Sequence, residues 1–253
     1  MTSYDLAGRC ALVTGGASGI GLAITTQIGR NGGTVAVNFL PDDPRGPETV
    51  ARLNGDGIKC IEAPGNVGIA GEAERMVETA IQKLGRLDFL AANAGTPNSR
   101  RAIPPRELDL MTEEFWNTIL QTNLLGVFRC AHAAAPALVA AKGAIVNTAS
   151  IAGINRAGSS LAYGASKAGV VNMTQNLARA LAPDVRVNAV APGAVDSSWM
   201  VEWTNEERDQ SMDRALLKRR CTPDDIAEVV LFLGFGAAMV TGQTITVDGG
   251  LTL

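Results

Sequence analysis

A chain of 253 residues that is 46% hydrophobic and 19% charged is able to bury a sizeable core and suits one large α/β domain. A formal net charge of −3, aromatics at only 4% and no basic run beyond Lys218-Arg219-Arg220 exclude a nucleic-acid surface or a base-stacking platform. Cys10, Cys60, Cys130 and Cys221 lack Cys-x-x-Cys spacing, Met1 to Asp5 lack the features of a signal peptide, and no apolar run approaches the roughly 20 residues of a membrane span; the expectation is a cytoplasmic protein with no metal, disulfide framework or membrane partner.

Arg9 to Thr14 is a short apolar strand, broken by Gly15-Gly16-Ala17-Ser18-Gly19-Ile20-Gly21, after which Leu22 to Arg30 carries helical periodicity and stops at Gly32-Gly33. Glycines at 15, 19 and 21 let the backbone turn tightly and approach a ligand, and free N–H groups at a helix start suit a pyrophosphate. Val35 to Phe39 predicts a second strand, Pro41 to Pro47 an irregular loop, Glu48 to Asn54 a helix and Ile58 to Glu62 a third strand, followed by Asn66-Val67. Ala70 to Leu84 reads as helix and Leu87 to Ala92 as the fourth strand, ending at Asn93-Ala94-Gly95. After an irregular stretch with three prolines and Arg100, Arg101 and Arg106, a long helix runs from Thr112 to about Ala140 and contains Asn123. Ala144 to Thr148 is the fifth strand, Tyr163 to Leu181 a helix, Val185 to Val190 the sixth strand before Pro192-Gly193, and Thr244 to Val247 the last.

Apolar strands alternating with helices predict a Rossmann-type, doubly wound parallel sheet with helices on both faces, in one domain spanning 1–253. Its cofactor part covers about 1–150, its catalytic and substrate part about 150–253, with a lid at about 194–220. Ligands in such sheets bind beyond the carboxyl ends of the strands, and that is where Gly15, Asn38, Asn66, Asn93, Ser150 and Pro192-Gly193 fall. Tyr163 and Lys167 are four residues apart on one helix face, so the ammonium favours the phenolate over the phenol. Ser150, thirteen residues upstream, is placed to hold a carbonyl or alcohol oxygen beside the phenol.

These motifs, in this order and across essentially the whole chain, resemble the short-chain dehydrogenase/reductase family. They are Thr14-Gly15-x-x-x-Gly19-x-Gly21, Asn93-Ala94-Gly95, Asn123, Ser150, Tyr163-x-x-x-Lys167 and Pro192-Gly193. The resemblance implies a catalytic tetrad of Asn123, Ser150, Tyr163 and Lys167: Tyr163 as acid and base, Ser150 on the substrate oxygen, Lys167 lowering the Tyr163 pKa and binding the nicotinamide ribose, and Asn123 supporting a proton-relaying water. It also implies that Ser18 and Ile20 meet the pyrophosphate, that Asn93, Ala94 and Gly95 line the ribose side, and that Val195 and Ser197 hold the carboxamide. Asn66 replaces the family's usual Asp beside Val67 in the adenine pocket, and an amide is still able to pair with the adenine amine. The NAD-selective carboxylate at the end of the second strand falls on Phe39, flanked by Asn38 and Leu40, so both NADP and NAD are expected, with a lean to NADP through Arg45 and Asn38.

Trp199, Met200 and Trp203 match the family's mobile substrate lid, whereas lone His132 reads as structural and Arg100, Arg101 and Arg106 as a solvated face. The expected activity is NAD(P)-dependent interconversion of a secondary alcohol and a ketone, of the alcohol dehydrogenase or carbonyl reductase type, on a small molecule. A β-ketoacyl carrier-protein reductase is the alternative, disfavoured because the stretches Ala131 to Ala141 and Asn172 to Leu181 offer only Arg179 to an acidic carrier. A dinucleotide-sensing protein without catalysis has no need of all four tetrad positions. The resemblance, with the Ala-rich helix around Ala131 to Ala141, implies a homotetramer.

Overall fold

The structure, a computed structural model, describes residues 4–196, 204, 206 and 213–253. Its strands are β1 (Cys10–Val13), β2 (Thr34–Phe39), β3 (Cys60–Pro64), β4 (Phe89–Ala92), β5 (Ala144–Thr148), β6 (Arg186–Pro192) and β7 (Thr244–Val247). They form one sheet in the order β3-β2-β1-β4-β5-β6-β7, and every neighbouring pair is parallel. Every residue of β1, β4 and β5 is buried, as a sheet covered on both faces requires. The strand order reverses between β1 and β4, which opens a crevice beyond their carboxyl ends.

Seven helices carry the argument: α1 (Gly19–Arg30), α2 (Arg45–Gly55), α3 (Glu72–Leu84), α4 (Glu113–Leu120), α5 (Gly126–Ala141), α6 (Leu161–Leu181) and α7 (Pro223–Leu231). On one face of the sheet Ile24 and Ile28 of α1 and Ile226 and Val230 of α7 close over Val13, Val35 and Phe89. On the other, Met76 and Val77 of α3, Leu138 of α5 and Val170 of α6 close over Leu12, Leu90 and Ile145. Each such side chain contributes about 1.5–3 kcal/mol by leaving water, so both layers hold the strand ends that carry the site.

Three elements differ from the sequence expectation. α2 starts at Arg45, inside the loop expected to be irregular: Pro44 precedes it and Pro47 lies in its first turn, where a missing N–H removes no helical bond. α7 was not expected at all, although Thr222-Pro223-Asp224-Asp225 spells its start: the Thr222 hydroxyl accepts from Asp225 N–H, Asp225 reaches back to Thr222 N–H, and proline takes the first helical position. Finally, α4 and α5 join through a π turn at Gln121–Leu125 into one helical run, Glu113–Ala141, long and apolar enough by length and composition to cross a bilayer. The sequence predicts this helix, but neither the π turn within it nor an apolar stretch of that length. Here it belongs to the helical layer, with Val127, Ala131, Ala134 and Leu138 in the core. Those inward alanines are therefore not the surface for a second copy; Leu125, Phe128, His132 and Val139 face outward instead.

Candidate active site

The turn after β1 is shaped by its glycines. Gly15 and Gly19 have φ of +62° and +51°, a region L side chains rarely adopt, and a Cβ on Gly21 would stand 2.1 Å from the Gly15 carbonyl oxygen. Ser18 precedes α1 in extended conformation without capping the helix through its side chain, and the first turn carries no acidic residue. The N–H groups and positive end of α1 thus face outward without a protein anion, beside a Gly19 whose missing Cβ leaves open space; this donor set fits a dinucleotide pyrophosphate.

Gly15, Ser18, Gly19 and Ile20 line a cavity of about 790 Å³. Asn93, Ala94 and Gly95 line it from the end of β4, Pro192, Gly193 and Val195 from the end of β6, and Ser150, Tyr163 and Lys167 complete it. Thr14 ties two of these walls together: its hydroxyl accepts from the N–H groups of Asn93 and Ala94, both at 2.9 Å, and its carbonyl accepts from Asn93 Nδ2 at 3.1 Å. Gly193 lets the β6 end press on Asp248, whose Cβ would lie 2.6 Å from an added Cβ.

Four expected cofactor residues stand elsewhere. Asn38 is buried and its amide is consumed internally: Nδ2 donates to the carbonyls of Ala63 (3.0 Å) and Gly65 (2.8 Å), while Oδ1 accepts from Gly15 N–H (3.1 Å). It braces the glycine turn against β3, with both amide N–H groups spent there. Phe39 turns inward and packs so closely on α2 that a Cβ on Gly46 would fall 2.1 Å from its ring. Asn66 lines a separate shallow cavity with Glu113, Asn117 and Gln121, its Oδ1 accepting from Gly68 N–H, and Val67 is buried against Gly126. Ser197, Trp199, Met200 and Trp203, the remaining carboxamide and lid candidates, lie outside the described residues.

The catalytic candidates are gathered by β5 and α6. Ser150 follows β5 and caps the 3-10 turn Ile151–Gly153, its Oγ accepting from Ala152 N–H at 3.1 Å, and it is hydrogen-bonded to Tyr163. Gly153 allows that turn to sit directly on α6, since a Cβ there would lie 2.4 Å from the Lys167 backbone. Ser160 caps α6 by accepting from Tyr163 N–H at 3.1 Å, which fixes where the phenol enters the cavity. One turn on, Lys167 is buried, donates from Nζ to the Thr148 carbonyl at 2.7 Å and stands 5.7 Å from the Tyr163 ring centroid. Asn123, in the π turn, is fully buried; its amide brackets Thr96 (N–H to Oδ1 2.7 Å, Nδ2 to carbonyl 2.9 Å) and reaches Ser166 Oγ at 3.3 Å.

Burial dominates the protonation of this pair within the protein. It pushes the Tyr163 phenol up to about 12, the hydrogen bond from Ser150 pulling the other way, and brings Lys167 down to about 8. What opposes desolvation at Tyr163 is thus Ser150 and not, as expected, Lys167, and Tyr163 keeps some surface open to the cavity. The same cavity is lined by Arg45, Arg156, Ser159, Arg214, Arg220 and Leu251. Only Arg45 among these stood out in the sequence, because contacts made by loops carry no periodicity. His132 stacks on Phe128 at 5.9 Å between centroids, and among the described residues no three His, Cys, Asp or Glu gather as for a metal.

Comparison with known proteins agrees with this arrangement. The family model described as Enoyl-(Acyl carrier protein) reductase matches residues 15–252. The chain is 35% identical over 246 residues to a 3-oxoacyl-(acyl-carrier-protein) reductase FabG of Staphylococcus epidermidis, covering 96% of this chain and 98% of that one. It is 36% identical over 251 residues to the FabG of Thermotoga maritima, covering 98% and 99%. A short-chain dehydrogenase from Burkholderia cenocepacia, crystallised in complex with NADP, superimposes with a TM-score of 0.88 at 31% identity, over 99% of this chain and 100% of that one. The chain belongs to the short-chain dehydrogenase/reductase family. It is an oxidoreductase of that family.

Proposed function

We infer that the chain interconverts a ketone and a secondary alcohol with NADP or NAD, in the manner of a carbonyl reductase or alcohol dehydrogenase. The observation that carries this reading is the hydrogen-bonded Ser150–Tyr163 pair, with Lys167 one turn away, opening on the same cavity as the glycine turn. A nicotinamide dinucleotide, when bound, supplies the hydride that reaches the carbonyl carbon in reduction or accepts it in oxidation. Ser150 and Tyr163 hold the substrate oxygen, and Tyr163 delivers the proton that turns it into a hydroxyl. Lys167 compensates the phenolate left behind, its Nζ held in place by Thr148. With its side chain engaged by Thr96 and Ser166, Asn123 acts as a positioning residue that locks the π turn between β4 and α6.

For the dinucleotide, Gly15, Ser18, Gly19 and Ile20 cradle the pyrophosphate, with Gly21 buried beneath them against the Gly15 carbonyl, and Asn93 to Gly95 and Pro192 to Val195 flank the nicotinamide half. Arg45 is the one cation on the adenosine side among the described lining residues; its pairing with Asp43 at 2.7 Å weakens its attraction for a 2′-phosphate, so NADP is favoured only slightly. Relatives bearing the name 3-oxoacyl-(acyl-carrier-protein) reductase support a second reading, reduction of a 3-oxoacyl thioester. The outward stripe of Leu125, Phe128 and Val139 supports a homotetramer.

The test is NADPH oxidation with a panel of ketones and an acetoacetyl thioester, for wild type and Tyr163→Phe. Tyr163→Phe should lose at least about a hundredfold in turnover, the usual scale of acid-base catalysis, with dinucleotide affinity kept. A loss within about tenfold counts against Tyr163 as the acid.

A further inference from the structure

Resting on the ketone–alcohol reading above, we propose that the cavity mouth beside Ser150 and Tyr163 binds an anionic group of the substrate through Arg156 and Ser159, with Arg214 adding charge. The substrate is then an oxo compound ending in a carboxylate or a phosphate.

Arg156 and Ser159 sit on the connection between Ser150 and Tyr163, the residues assigned to the reacting oxygen, and both line the cavity. The described lining residues include Arg45, Arg156, Arg214, Arg220 and Lys167 but no Asp or Glu. For a chain of net charge −3 this is a local concentration of positive charge, and a recessed one-sign site raises the local concentration of a counter-ion. Two of the arginines are answered by the protein: Arg45 by Asp43 and Arg220 by Asp196 at 3.1 Å. Arg156 instead donates one N–H to the Leu251 carbonyl at 2.6 Å, which anchors the guanidinium without neutralising it and leaves other donors for a ligand.

The dinucleotide phosphates do not account for Arg156. They belong to the glycine turn after β1, while Arg156 follows β5, two strand spacings away across β4 and so about 10 Å along the sheet. Ser159 is the independent observation. It is 8% exposed, its carbonyl accepts from Ile103 N–H at 2.8 Å, and its Oγ has no hydrogen-bond partner among the described residues. A buried hydroxyl without a partner is uncommon and unfavourable, and rotation about χ1 is open to it, so it is suited to turn toward a polar ligand group. The wall next to it is kept small: a Cβ on Gly158 would stand 2.8 Å from the Tyr163 ring and 2.9 Å from Ala152 Cβ.

The test uses oxo acids with one to three methylenes between ketone and carboxylate, each beside its methyl ester, and acetoacetyl-CoA beside acetoacetyl-N-acetylcysteamine, which lacks phosphate. Two quantities are read: kcat/KM with NADPH, and calorimetric binding to the protein–NADP⁺ complex, which needs no turnover. At least one anion should exceed its neutral partner by about tenfold, as a charge-assisted guanidinium contact provides. Arg156→Gln should reduce that preference to below about threefold, through KM rather than kcat, Ser159→Ala should weaken it, and Arg156→Lys should restore part of it. Arg106→Gln, on an exposed loop outside the cavity, should leave it unchanged. Preference for the acids assigns a carboxylate, and preference for the CoA thioester assigns a phosphate. Neutral partners binding and reacting as well as every anion, or no anion binding at all, overturns the proposal. An anion preference in calorimetry without reduction of any probe keeps the subsite and removes the ketone–alcohol reading instead.

Discussion

Lys167 is the group whose removal is most readily converted into a measurable energy. Only 3% exposed, it keeps one hydrogen bond from Nζ, to the Thr148 carbonyl, and burial lowers its pKa from 10.5 to about 8. In the unfolded chain the ammonium holds its proton to about 10.4, so between the two values the unfolded state binds more protons and stability must rise with pH. Below pH 8 the full cost of the buried charge is present, about 3 kcal/mol for a fall of this size; it is lifted progressively toward pH 10.5. Tyr163, raised from 10.0 to about 12, acts in the opposite direction, but only above pH 10, where the unfolded phenol ionises first. The comparison is therefore wild type against Lys167→Met, by urea unfolding at fixed protein concentration between pH 7 and pH 9.5. Subtracting the two cancels groups they share, and wild type should gain about 2 kcal/mol relative to the variant over that range. A difference constant to within about 0.5 kcal/mol, or one that moves the other way, refutes the argument that burial controls this ammonium.

Gly21→Ala should abolish measurable dinucleotide binding and cost about 1–3 kcal/mol of stability, since the added Cβ meets the Gly15 carbonyl at 2.1 Å; binding within about threefold of wild type, read by calorimetry, counts against the cradle. NADPH and NADH should differ by less than about a hundredfold in kcat/KM, an energy below roughly 3 kcal/mol, and Arg45→Ala should move the ratio toward NADH by only a few-fold because the exposed Arg45 already pairs with Asp43. Strict dependence on NADH refutes that assignment. Light scattering should give a tetramer, and Phe128→Asp, which puts a charge on the outward stripe of α5, should break it into smaller species; a wild-type monomer sinks the stripe as an interface.

What was legible in the sequence had a period or a fixed spacing. Short apolar runs bounded by turn residues alternate with helices of period 3.6, and this gave the parallel sheet; Tyr163 and Lys167 meet because a helix brings residues four apart onto one face. Ser150 was legible because a β-strand fixes where the next residue emerges, and the glycines because their conformation admits few other residues. α7 was missed although its cap is written in four consecutive residues, because the apolar stripe that follows is short and blends with the π turn Phe232–Gly236. Neither Ser160 nor Ser166 stood out, yet the first sets the entry of Tyr163 and the second joins Asn123 to the Tyr163 carbonyl, at 2.7 Å from it.

The end of β2 shows where spacing alone misleads. Counting along the strand puts Asn38 and Phe39 at the position that reads the adenosine ribose, but a strand presents alternate side chains to opposite faces and both faces of this sheet are covered. Phe39 therefore goes into the layer beneath α2, where Gly46 makes room for its ring. Asn38 goes to the other side, and a buried amide there must find partners; the carbonyls of Ala63 and Gly65 and the N–H of Gly15 supply them. The consequence reaches the cofactor by a different route from the one expected. Asn38 has both amide N–H groups engaged inside the protein, and by holding Gly15 N–H it sets the shape of the turn proposed for the pyrophosphate. On the proposed reading, recognition of a 2′-phosphate falls to Arg45, which lines the cavity from the start of α2, three residues earlier than the sequence suggests.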